Sequence, residues 1–195
     1  MCGAQAVSVG VAGGGRATDD VSSGGIGESK RYVFGPTIEA GLPLNFAIEF
    51  DALYHRNGYS VMDYGFTDTE RANSWEFPIL LKYRIPFRPI KPFVEVGMAP
   101  RTISGTIDTL SYSIGATGAL ITSQSTRPTN WKASLGVVFG GGVRFNIGRL
   151  SLSPEVRYTH WTSTPIIDGG NNGPIAISSQ EQLDVLMGFS WTVHR

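Results

Sequence analysis

The stretch FAIEFDALYH, Phe46 to His55, decides the fold. Phe46, Ile48, Phe50, Ala52 and Tyr54 share one parity, while Ala47, Glu49, Asp51, Leu53 and His55 share the other. A period of two belongs to a β-strand with two unlike faces. An inward aromatic face gives a water-soluble β protein. An outward one requires a surrounding that is not water.

The alternation returns in seven further stretches: VSVGVAGGG (7–15), RYVFGPTIEAGL (31–42), SWEFPILLKYRI (74–85), PFVEVGMAPRT (92–102), KASLGVVFGGGVRFNI (132–147), LSLSPEVRYTHW (150–161) and QLDVLMGFSW (182–191). Each is long enough to cross a bilayer at the usual strand tilt, and no helical pattern stands out. PLN, PFRPIK and GR make three tight connections. Four others, about 16–30, 62–73, 103–131 and 163–181, are polar and rich in Gly, Ser, Thr, Asn and Asp, and read as long loops. The pattern predicts an eight-stranded antiparallel up-and-down transmembrane β-barrel with short turns at one end and long loops at the other. Pro36, Pro78, Pro100 and Pro154 stand against it, because a closed barrel has no edge on which to place a missing donor.

Composition agrees with an unusual solvent. Charged residues are 16% of the 195-residue chain, against roughly 25% in soluble domains, and only Lys30, Lys82, Lys91 and Lys132 among the cations are lysine. The formal net charge is zero, so nothing points to nucleic acid. The single Cys2 rules out an internal disulfide. MCGAQAV places Ala4 and Ala6 at the spacing of a signal-peptidase site, so residues 1–6 read as a residual export-signal tail, or as a plain flexible N-terminus. Residues 7–195 form one domain.

The parity opposite the bulky one carries Glu39, Glu49, Asp51, Glu76, Lys82, Arg84, Glu95, Arg101, Arg144, Glu155, Arg157 and Asp184. It also holds Gly35, Gly97, Gly136, Gly140 and Gly142, which suit a narrow interior and not an exposed strand face. Aromatic residues gather near strand ends: Tyr32, Tyr54, Trp75, Tyr158 and Trp161 at the long-loop end, and Phe46, Tyr83, Phe93, Phe145 and Trp191 at the other. Two aromatic girdles around an aliphatic belt match the two bilayer interfaces. The bulky face therefore meets lipid, where an Arg or Lys at the midplane costs roughly 2–4 kcal/mol. The charged face lines the lumen as a salt-bridged network. Glu39, Glu49 and Glu95 with Lys82, Arg84 and Arg144 are expected to form one network closing the short-turn end. The opposite assignment, a soluble lipocalin-like ligand-binding barrel, reverses both faces.

On GPTIEAGLPLNFAIEFDALYHR, WEFPILLKYRI, KPFVEVGMAPR, GGGVRFNIGRLSLSPEVRYTHW and QLDVLMGFSW, the chain resembles the small eight-stranded outer-membrane barrels of Gram-negative bacteria, the OmpA/OmpX-like "outer membrane protein beta-barrel" group. The resemblance implies residence in the bacterial outer membrane as a monomer among outer-membrane lipid and lipopolysaccharide, with short periplasmic turns and long extracellular loops. It also implies insertion by the barrel assembly machinery, and a structural or surface-binding role in which the loops meet an extracellular ligand or protein. The chain ends in WTVHR and not in the terminal aromatic usual to that family, with Trp191 four residues early.

Candidate chemistry is sparse. SSGGIGESK (22–30) lacks the strand-to-helix setting of a phosphate loop. The three histidines have no metal-ligand spacing. No cofactor, metal or nucleic-acid partner is expected. One enzymatic alternative remains: YTHWTS (158–163) loosely resembles the His-x-Ser motif of lipid A deacylase barrels, with His160 as base, Thr162 at the nucleophile's place and Glu181 orienting the histidine.

Overall fold

The computed structural model describes residues 6–18, 21–23, 26–27, 29–63, 66–87, 90–114, 119–128, 133–163, 166–168 and 174–194. The export-signal reading of residues 1–6 lies outside these apart from Ala6, whose carbonyl accepts a bond from the Gly41 N–H at 2.7 Å.

Eight strands close into a barrel. They are β1 (Val7–Arg16), β2 (Tyr32–Gly41), β3 (Phe46–Asp51 and Leu53–Asp63), β4 (Phe66–Glu76 and Ile79–Arg84), β5 (Lys91–Ile114), β6 (Leu120–Pro128 and Ser134–Ile147), β7 (Leu150–Trp161) and β8 (Glu181–His194). Each pairs antiparallel with its neighbours in sequence, and β8 returns to β1 with Val9 opposite Trp191. No sheet edge is left in the ring, which is the condition for standing in lipid.

The four in-strand prolines are absorbed without a slip in register. Pro36, Pro78 and Pro100 offer their carbonyls to the N–H groups of Ala52, Asp51 and Phe77, at 3.0, 3.1 and 2.8 Å. In an antiparallel strand a residue's N–H points the same way as its C=O. The three missing donors therefore face the two places where the ladder breaks, Ala52 in β3 and Phe77–Pro78 in β4. Pairing continues beyond with unchanged offset: Phe50 faces Ile79 below the break, and Leu53 faces Glu76 above it. Pro154 lies opposite Met187 within the β7–β8 ladder.

Two of the predicted loops are largely strand. Within 62–73, β4 begins at Phe66, and within 103–131, β5 continues to Ile114 and β6 opens at Leu120. Thr, Ser and Ile alternate through TISGTIDTLSYSI and ITSQST, and such residues sustain strands even with polar faces on both sides. Polarity alone therefore misassigned them. The two segments of β6 differ by one residue in register, since Pro128 faces Thr106 whereas Ser134 faces Arg101. The wall is uneven: β3–β6 rise well past the level at which β7 and β1 end. At the lower side, Val21–Ser23, Ile166–Asp168 and Pro174–Ser178 form a small separate sheet, and Ile26–Gly27 pairs with Tyr59 and Ser60 of β3.

The polarity is inverted relative to a soluble barrel. Val9, Phe34, Ile38, Ile48, Phe50, Ile79, Leu81, Val94, Val96, Met98, Val137, Phe139, Val156, Val185 and Phe189 are exposed on the outside. Charged and small residues are inside. Gly140 shows why glycine is needed there: a Cβ would strike the Glu95 carboxylate.

Candidate functional site

All twelve predicted interior charges face the lumen, in three tiers and not in one network. Nearest the short turns, the Arg144 Nη1 donates to Glu39 at 2.5 Å, and Arg84 pairs with the same carboxylate. Arg144 also donates to the Ser190 hydroxyl at 2.9 Å.

The central tier is the densest. Arg157 reaches Asp51 at 2.5 Å, Glu155 at 2.6 Å, Glu49 at 2.7 Å and Glu95 at 2.9 Å. Lys82 reaches Glu49, Glu95 and Glu155 at 2.8, 3.0 and 3.2 Å. Alternation on β3, β4, β5 and β7 drives these side chains to a common depth, and the glycines of β6 leave room for them. Oxygens of Glu49, Glu95 and Glu155 converge within 4.8 Å of one another, a spacing that would suit a metal ion. The Lys82 ammonium already stands among them.

The third tier lies toward the long-loop end. Arg16 donates to Glu76 at 2.9 Å, to Asp184 at 3.0 Å, and contacts the His55 Nε2 at 2.8 Å. Gln182 bridges Glu76 and Asp184. The sequence reading missed Arg16 because it began a loop there, yet Arg16 shares the parity of Ser8 and Ala12. One more residue of strand would have found it. His55 stands on the Glu49 parity in the opening stretch, and its burial at 1% follows from that.

Two girdle assignments are overturned. Trp161 is 0% exposed. It stands inside, on the parity of Glu155 and Arg157, donating from Nε1 to Gln182 at 2.9 Å with the Arg101 guanidinium 3.7 Å from its ring centre. Arg101 also donates to the Ser134 hydroxyl at 3.1 Å. Phe93 is 4% exposed, on the parity of Glu95, with the Lys82 ammonium 4.6 Å from its ring centre. Proximity to a strand end suggested a girdle; parity decides against it in both cases.

The other girdle aromatics face out. Tyr32, Phe34, Tyr54, Trp75 and Phe77 form a continuous row across β2–β4, with ring centres 5.3–6.4 Å apart. Phe46 and Tyr83 pair at 5.0 Å toward the short turns, where Phe145 and Trp191 are also exposed.

The enzymatic alternative is only partly assembled. His160 pairs with Glu181 at 3.0 Å, and the same carboxylate accepts from the Tyr158 hydroxyl. The Thr162 hydroxyl donates instead to the Leu135 carbonyl at 2.7 Å, so its proton is not presented to His160.

Residues 3–180 match the family described as "Outer membrane protein beta-barrel domain". Among solved structures, neisserial surface protein A is 15% identical, with 97% of this chain and 99% of that chain covered and a TM-score of 0.54. A major outer membrane protein from Thermus thermophilus is 12% identical, with 96% and 98% covered and a TM-score of 0.59. At these identities the likeness is one of fold. A search of curated proteins finds no match.

Proposed function

The chain belongs to the outer membrane protein beta-barrel domain family and resides in the bacterial outer membrane, and from that premise we propose a non-enzymatic surface protein. Its barrel is a plugged membrane anchor, and its tall outer ribbons present a binding surface to an extracellular ligand or protein. The observation that carries this reading is the central tier. Lys82 and Arg157 together touch four buried carboxylates contributed by β3, β5 and β7. An eight-stranded lumen is just wide enough to be filled by side chains, and this one is crossed by ion pairs at three depths. Opening a path would leave charges unpaired, at roughly 3–5 kcal/mol for each broken buried pair.

The direct test is electrical. The full chain in planar bilayers is expected to show no sustained single-channel current, whereas stable openings of the unaltered protein would refute the plug. Against catalysis stands the Thr162 hydroxyl, held by Leu135. Insertion by the barrel assembly machinery and a monomeric state complete the proposal, and a ring that closes within one chain is compatible with both.

A further inference from the structure

We infer that the outer wall of β2–β4, just above its aromatic row, binds the phosphate groups of outer-leaflet lipopolysaccharide. Lys30, Arg56 and Arg71 are exposed there. Arg56 lies two residues beyond Tyr54 on the same outward parity, and Arg71 four residues from Trp75 on the same parity of β4. The Lys30 N–H donates to the Arg56 carbonyl at 2.9 Å, fixing it beside β3. Arg56 faces Asn73 and Arg71 faces Gly58, so the two arginines are diagonal neighbours, roughly 7–8 Å apart.

No ion pair among the described residues joins any of these three cations. The outward positions next to them on β5 are Thr102, Ser104 and Thr106, all neutral. The Tyr54 hydroxyl donates to the Asn73 side-chain oxygen at 2.8 Å, leaving the Asn73 amide nitrogen as a further donor. The cationic band is one-sided: on β7–β8, the exposed pair above the girdle is His160 with Glu181. With no ion pair among the described residues, three cations on adjacent strands repel one another unless an anion lies between them.

Height selects that anion. The aromatic row marks the edge of the hydrocarbon. Two to four residues of tilted strand place the cations roughly 5–10 Å above it, within the headgroup layer. The lipid phosphates of the outer leaflet lie at that depth, and guanidinium groups bind phosphate in a two-pronged fork.

The test titrates the detergent-solubilised full chain with lipopolysaccharide, with bound lipid read by native mass spectrometry and folding checked by heat-dependent gel migration. Each cation near an anionic lipid surface contributes roughly fivefold in affinity. The combined Lys30→Gln, Arg56→Gln and Arg71→Gln variant is therefore expected to bind roughly a hundredfold more weakly. Arg149→Gln, in the turn at the opposite end, is expected to bind as the parent does. Lipopolysaccharide stripped of its lipid A phosphates is expected to lose affinity for the parent but not for the triple variant. If the triple variant does not fold, Arg71→Gln alone is expected to cost roughly fivefold. Unchanged affinity in the folded variants, equal binding of the stripped lipid by the parent, or full displacement by millimolar inorganic phosphate would each overturn the assignment.

Discussion

Arg157 holds four carboxylates, so its loss is the most disruptive single change to the interior. Arg157→Ala leaves Glu49, Glu95 and Glu155 with Lys82 as their cation in that tier, and takes from Asp51 its ion pair with Arg157. The expected loss is roughly 3–5 kcal/mol of stability in a urea titration. Arg149→Ala, in an exposed turn, is expected to cost under about 0.5 kcal/mol. Equal midpoints at neutral pH would mean that the charged face is wet and the faces have been assigned backwards. Glycine gives a second comparison. Gly140→Ala drives a methyl into the Glu95 carboxylate, at roughly 1–3 kcal/mol. At Gly188 a Cβ meets only Ser153 at 3.5 Å, and Gly188→Ala is expected to be nearly silent. At this scale the sequence was legible wherever parity was followed strictly. Trp161 and Phe93 were misplaced when nearness to a strand end was allowed to override it.

At the scale of the strand, the prolines change meaning. As isolated residues they argue against a barrel; as a row, Pro36, Pro78 and Pro100 are mutually consistent, because their missing donors point at the breaks near Ala52 and Phe77. Pro100→Val restores a donor facing Phe77. The bond gained, about 0.5–1.5 kcal/mol, is offset by lost rigidity of the unfolded chain, about 0.4–1 kcal/mol. The midpoint is therefore expected to move little, and the new amide at 100 is expected to be protected from hydrogen exchange. A rapidly exchanging amide there would show that the gap is not closed by a donor. The alignment was unreadable from one sequence because it depends on register between strands, which only pairing supplies. The tall β5–β6 ribbon was hidden for a different reason. Above the lipid the outer face of a strand meets water instead of hydrocarbon, so the regular polar–apolar alternation of the membrane-spanning part is lost.

For the whole molecule, the ion-pair tiers lie below the tall ribbon, and the ring should not need it. Removing residues 108–126 with a short turn in their place is expected to leave a barrel that still migrates differently on gels before and after heating. Loss of that shift would make the ribbon part of the fold. The ring itself was the most legible feature of the sequence, since eight alternating stretches with tight and long connections in turn allow few other closures. The seam has a consequence in time. Ser8 meets Thr192 across 184 positions of sequence, and β8 is the last strand to leave the ribosome. Until it arrives, β1 and β7 each carry an unsatisfied edge that lipid does not tolerate. Such distant partners also make closure slow. The nascent chain must therefore be kept out of the bilayer until its final strand exists, and insertion follows synthesis instead of accompanying it.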